Sequence, residues 1–167
     1  MQAKLTNAVL FQLCWFASVL CAANGLPWVG PVTVCAWLVW HLQRVSAQRA
    51  HETKLVVGAA LFGWTADSIL ISMGLVVFPA HAQLGLLSPI WMVGLWAGLS
   101  ATLSHSLAWL RGHWLIASIL GAIAGPAAYR AGQALGALSL DEPAAYLALA
   151  AVYGAATPIL LALSPTS

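Results

Sequence analysis

Six apolar runs, separated only by short turn-rich segments, leave this chain almost no choice of surroundings. They extend from Leu5 to Ala23, Trp28 to Leu42, Leu55 to Phe78, Leu87 to Leu110, Trp114 to Leu138 and Ala144 to Leu163. A helix crossing a bilayer needs about 20 mostly apolar residues. Five of the runs are of that order, and the second is the shortest. A water-exposed surface cannot be assembled from the alternative material, because the 167 residues include only six Lys/Arg and four Asp/Glu. Soluble domains carry roughly a quarter charged residues. The expected fold is therefore all-α: a polytopic membrane helix bundle of about six transmembrane helices, forming a single domain over residues 1–167.

The separators carry turn chemistry: Asn24-Gly25-Leu26-Pro27, Pro79 with His81, Arg111-Gly112 and Asp141-Glu142-Pro143. They also fix an orientation. Lys4 precedes the first run, Arg44, Arg49 and Lys54 lie between the second and third, and Arg111 lies between the fourth and fifth. All five fall on one side of the membrane, and the opposite loops hold Asp141 and Glu142 with no Lys or Arg. Cytoplasmic loops are enriched in Lys and Arg, so both termini are expected inside. Asn7, Gln12 and Trp15 interrupt the first run, which is expected to be a retained helix rather than a cleaved signal.

Composition excludes several function classes. There is no basic stripe of the kind that binds nucleic acid. Cys14, Cys21 and Cys35 are odd in number and form no CxxC pair, so a disulfide framework or zinc knuckle is not indicated. No GxSxG, HExxH or histidine-box motif is present.

The polar residues inside the runs are the candidates for function, since an ionisable group in a span costs at least about 2.5 kcal/mol. Asp67 in the third run and Arg130 in the fifth fall at similar depths, roughly 20 and 24 Å from the cytoplasmic face at 1.5 Å per residue. An Asp67–Arg130 pair, with Tyr129 and Ser68 nearby, would remove two isolated charges together. A second polar layer lies toward the cytoplasm. Asn7 and Trp15 share a helix face with Gln12 beside them, His105 lies in the fourth run, and His41, His51, Glu52 and His113 flank the runs. No run holds an HxxH or HxxxH pair, so no metal and no cofactor are expected. Of the tryptophans, Trp28 and Trp91 suit the outer interface and Trp40, Trp109 and Trp114 the inner one, while Trp15, Trp37, Trp64 and Trp96 lie deeper. Gly121, Gly125, Gly132 and Gly136 form two GxxxG repeats that suit close helix packing and a homo- or hetero-oligomer contact through the fifth span.

Taken together, Asn7…Phe11-Gln12…Trp15, Asn24-Gly25…Trp28-Val29-Gly30-Pro31, Glu52, Asp67, Pro89-Ile90-Trp91, Leu95-Trp96 and the stretch from Gly121 to Tyr129 resemble a family of small bacterial inner-membrane proteins. This is the domain-of-unknown-function family numbered 2878. The resemblance covers nearly the whole chain and implies a multi-pass protein of the bacterial inner membrane without assigning it an activity.

The residues themselves suit a protein that acts on a membrane lipid or another hydrophobic small molecule, or that assists an enzyme doing so. Asp67, Arg130 and Glu52 are the candidate catalytic groups. Asn7, Gln12, Trp15, Trp64, Trp96, His105 and Tyr129 are the candidate substrate contacts. A cyclase or isomerase with Asp67 or Glu52 as the proton donor is a sharper form of this reading. The alternatives are a small transporter or permease subunit using the Asp/Arg pair, and a non-catalytic assembly partner. Nucleic acid is not an expected partner.

Overall fold

A computed structural model describes residues 2–165, with Ser46 described by its backbone alone. Met1, Thr166 and Ser167, which the expected domain includes, lie outside the described residues. Six α-helices account for the six apolar runs: α1 (Gln2–Ala23), α2 (Val29–Arg44), α3 (Arg49–Ser72), α4 (Ile90–Leu103), α5 (Trp114–Ala134) and α6 (Ala144–Leu163). Single 3-10 turns follow α2 and α4. The only strands among the described residues are β1 (Val76–Val77) and β2 (Ser139–Leu140), which pair antiparallel with Val76 opposite Leu140.

By length and composition α1, α3, α5 and α6 are each able to cross a bilayer. The chain is thus a membrane protein. The 14-residue α4 is apolar but short, about 21 Å at 1.5 Å per residue. Ten of its residues are buried, including Trp91, Leu95, Trp96 and Ala101. It packs against α1, α2 and α3, so protein rather than lipid surrounds most of it. A helix that is apolar all round is a buried helix.

Three of the runs were expected to stay helical too far, the fifth by the four residues from 135 to 138. The third run reaches Phe78 in apolar character, yet α3 ends at Ser72 and Gly74 takes φ +74°. A positive φ is cheap only for glycine, and here it turns the chain into β1. The fourth run loses Leu87, which bridges to Leu84, and the irregular Ser88 and Pro89 at its start, and everything after Leu103 to turns. Hydropathy does not separate a helix from a buried extended segment: Val76 and Phe78 are buried, and the Phe78 ring meets Trp91 edge-on with centroids 5.5 Å apart.

The bundle has a basic end and an acidic end. At the basic end, Arg111 donates to the Ser164 hydroxyl at 2.6 Å and the Pro165 carbonyl at 2.9 Å. There too the His51 ring lies 3.0 Å from the Leu163 carbonyl. The start of α3, the α4–α5 connection and the end of α6 are therefore tied together, with Arg44, Arg49 and Lys54 alongside. At the other end the β1–β2 ribbon joins the α3–α4 and α5–α6 connections, and His81 reaches the Ala22 carbonyl at 2.9 Å. By the positive-inside rule the basic end is the one expected to face the cytoplasm. A phosphatase reporter fused after Ser167 should be inactive and one inserted at Gly85 active; the reverse result would overturn the orientation.

Small residues set the closest helix contacts. A Cβ on Gly121 would strike Thr157 and the Tyr153 carbonyl, and one on Gly125 would strike the Tyr153 ring, so this face of α5 is spent on α6. The second expected repeat works differently. Gly136 lies beyond the end of α5 with φ +81°, where it turns the chain toward β2 instead of packing a helix.

Candidate functional site

Buried residues on α3 form one stripe: Glu52, Leu55, Ala59, Gly63, Asp67 and Leu70. Their 3- and 4-residue spacing places them on a single face, so both carboxylates of α3 point inward, about 22 Å apart along the axis at 1.5 Å per residue. Each carboxylate anchors a separate polar cluster.

Asp67 is 2% exposed. Its Oδ2 accepts a hydrogen bond from the Trp96 indole at 3.0 Å and its Oδ1 one from the Tyr129 hydroxyl at 2.6 Å. Trp96 fits because residue 63 is glycine: a Cβ there would fall inside the indole ring. Tyr153 stacks on Trp96 with ring centroids 4.5 Å apart and meets Tyr129 edge-on at 6.1 Å. Three aromatic residues from α4, α5 and α6 thus enclose a carboxyl carried by α3.

The expected Asp67–Arg130 pair does not form. Arg130 Nη1 lies 3.1 Å from Glu142 Oε1, and its side chain is 61% exposed. Glu142 also accepts from Gln133 at 3.3 Å and from the Tyr146 hydroxyl. The reason is helix length. The α5 helix ends at Ala134, four residues past Arg130, so the long side chain reaches the acidic loop and leaves the bilayer interior. Among the described residues no ion pair includes Asp67. Because the Arg130 pair is largely exposed, Arg130→Gln should shift stability by less than about 1 kcal/mol. Thermal unfolding in detergent measures this, and a larger loss would mean that Arg130 has a buried role.

A cavity of about 860 Å³ opens beside the aromatic cluster. It exists because α5 makes its close packing with α6, leaving a gap toward α1 and α4. Gln12, Trp15, Trp96 and Tyr129, all expected to touch a substrate, line it, together with Trp91, Leu95 and Tyr153. Phe16, Leu120, Ile123 and Leu135 also line it and are 38–63% exposed, so the cavity opens sideways between α1 and α5. That volume lies within the ~300–1,000 Å³ usual for small-molecule sites.

Other sequence-chosen residues lie elsewhere. Trp64 is 39% exposed on the outside of α3 and does not line the cavity, because the inward face of that helix is the Gly63–Asp67 stripe. Asn7 is buried, donates to the Ala101 carbonyl at 3.3 Å and accepts from Ser106 at 2.9 Å, which makes it a tie between α1 and the end of α4. Ser68 receives the Ser88 amide at 2.9 Å instead of touching Asp67. Trp91, expected at the outer interface, is 1% exposed and lines the cavity, while Trp28, Trp109 and Trp114 are exposed as belt residues are. Tyr153 escaped sequence reading; its only signal was a hydroxyl-bearing ring in the middle of a span otherwise poor in polar groups.

The second cluster gathers Glu52 with His105 and His41. Glu52 is fully buried in the first turn of α3, with its Oε1 3.3 Å from His105 Nε2 and its Oε2 3.8 Å from His41 Nε2. The two imidazoles stand edge-to-face at 4.7 Å. One ligand atom from each residue lies within 4.8 Å of the others.

A polytopic helical membrane protein with a laterally open apolar cavity and a buried, aromatically enclosed carboxyl is the class that fold and site define. Residues 4–159 match the family model described as Protein of unknown function (DUF2878), and the chain belongs to that family. No curated protein and no solved structure matches it.

Proposed function

We propose that this is a protein of the bacterial inner membrane that admits one lipid-class molecule from the bilayer between α1 and α5 and holds its polar end against the Trp96–Tyr129–Asp67 wall. The observation that carries the reading is the cavity: about 860 Å³, apolar in its lining, rimmed by exposed side chains at membrane depth and backed by a buried carboxyl. A molecule with an apolar body and a small polar head suits that arrangement. Tyr129 and Trp96 supply hydrogen-bonding edges, and Asp67 behind them is the group able to take or return a proton through the Tyr129 hydroxyl. Acting on such a lipid, or presenting it to a partner enzyme, are the two forms of this role.

The transporter alternative loses the Asp/Arg pair on which it rested, since Arg130 is engaged with Glu142. Ala128 lines the cavity on α5 and makes none of the Asp67 hydrogen bonds, so Ala128→Trp should fill the space and leave those bonds in place. Native mass spectrometry of the detergent-purified protein should find a bound lipid on the wild type and at least a several-fold lower occupancy on this variant. A wild-type chain free of lipid, or equal occupancy in the two, would reject the reading.

A further inference from the structure

We infer that His41, Glu52 and His105 form a binding site for one divalent first-row transition-metal ion of the zinc or ferrous class. Spacing along any single helix holds no ligand pair, and that was the ground for expecting no metal. The fold removes the ground, because the three residues come from three places: the last turn of α2, the first turn of α3 and the turn after α4. Two imidazoles and one carboxylate are a ligand set that both ions accept, with a position left open for water or substrate.

Three observations converge. The first is distance. Tetrahedral ligands about 2.1 Å from an ion stand about 3.4 Å from one another. Glu52 lies 3.3 Å from His105 through Oε1 and 3.8 Å from His41 through Oε2, and with one ligand atom taken from each residue the three fit within 4.8 Å. The second is the absence of any other partner. His41 Nε2, His105 Nε2 and both Glu52 oxygens are buried, and apart from their ion-pair contacts with one another none has a polar partner among the described residues. A buried polar group left unsatisfied costs about 1–3 kcal/mol, and more when it is charged; one ion held between the three side chains would satisfy them together, where the contacts seen are ion-pair distances without hydrogen-bond geometry. The third is access. Glu52 is 0% and His41 6% exposed in their side chains, while His105 is 27% exposed, so the cluster has one open side.

Three neighbouring polar side chains are engaged elsewhere. Asn7 bonds Ala101 and Ser106, and Ser100 and Thr102 bond carbonyls of their own helix. The Trp37 ring lies beside His41, with ring centroids 6.2 Å apart, and its buried indole N–H has no hydrogen-bond partner among the described residues. The site stands on its own geometry and does not rest on the lipid reading.

The test uses the full chain in detergent, stripped with EDTA and titrated with Co²⁺, whose visible d–d absorption reports a protein site of low coordination number. One Co²⁺ per chain should bind and be displaced by Zn²⁺. His105→Ala, on the open side and so least costly to the fold, should weaken Co²⁺ binding by more than the ~10–100-fold that loss of an outer-shell partner costs. His105→Cys should keep the ion and add a thiolate-to-cobalt charge-transfer band. Glu52→Gln and His41→Ala should behave as His105→Ala does. A stripped wild-type chain that takes up no Co²⁺, unchanged binding in His105→Ala, or a His105→Cys spectrum without the new band would each overturn the site. Lipid occupancy measured on the same His105→Ala sample should stay at the wild-type level, which separates a failure here from a failure of the cavity.

Discussion

Asp67→Ala should destabilise the protein in detergent by about 2–4 kcal/mol. The substitution strands the Trp96 indole N–H and the Tyr129 hydroxyl, both of which point at the lost carboxyl from buried positions. Each orphaned donor costs about 1–3 kcal/mol. Interhelical hydrogen bonds in membranes average only about 0.6 kcal/mol when measured by mutant cycles, so the stranding, rather than loss of attraction, is the larger part of the effect. Tyr129→Phe leaves the Asp67 carboxyl its bond from Trp96 and orphans one group instead of two, so it should cost less, about 1 kcal/mol. In the Asp67→Ala background Tyr129→Phe should cost nothing or recover stability, because the hydroxyl it deletes is already unpaired. Thermal unfolding of the four proteins measures the coupling. Additive losses would mean that the 2.6 Å contact contributes nothing.

Gly63→Ala carries the second large effect. One methyl group on α3 would occupy the space of the Trp96 ring, which is 1% exposed, stacked on Tyr153 and bonded to Asp67. Overpacking of a core typically costs about 1–3 kcal/mol, and here the displaced indole must also leave its acceptor. A loss of about 3 kcal/mol or more is therefore expected from a substitution that sequence scales would grade as helix-stabilising. Trp96→Leu on top of Gly63→Ala should recover part of it by clearing the ring. Tryptophan fluorescence provides a separate readout, since movement of a buried indole changes its emission. If Gly63→Ala matches the wild type in both stability and emission, the α3–α4 contact is looser than described.

Much of the architecture was legible before any coordinates. Apolar run length and scarcity of charge required helices in a bilayer, and the six runs became six helices with α6 matching its run from Ala144 to Leu163. Asp67 was legible as a candidate because a carboxyl at that depth needs a partner, and it is buried with two. Its partner was chosen wrongly. Depth counted along the chain gave Arg130 the right height, but it carried no information about where α5 stops or which loop lies within reach of a long side chain. The same blindness hid the Glu52 cluster: His41, Glu52 and His105 are separated by 11 and 53 residues, and no single-helix periodicity links them.

What the sequence determined by itself is what depends on a local property summed over a segment: the apolar surroundings, the helix count and the distribution of charge along the chain. Hydrophobic transfer and backbone hydrogen bonding act residue by residue, so their sum can be read in order along the chain. What only the tertiary structure decided is which side chains share a few ångströms of space. Gly63 admits Trp96, Trp96 and Tyr129 converge on Asp67, and α5 leans on α6 to leave a cavity beside them. Those outcomes depend on helix rotation and on steric fit between distant segments, where a single missing Cβ sets which surfaces can approach. Such pairwise constraints have no signature in composition or period.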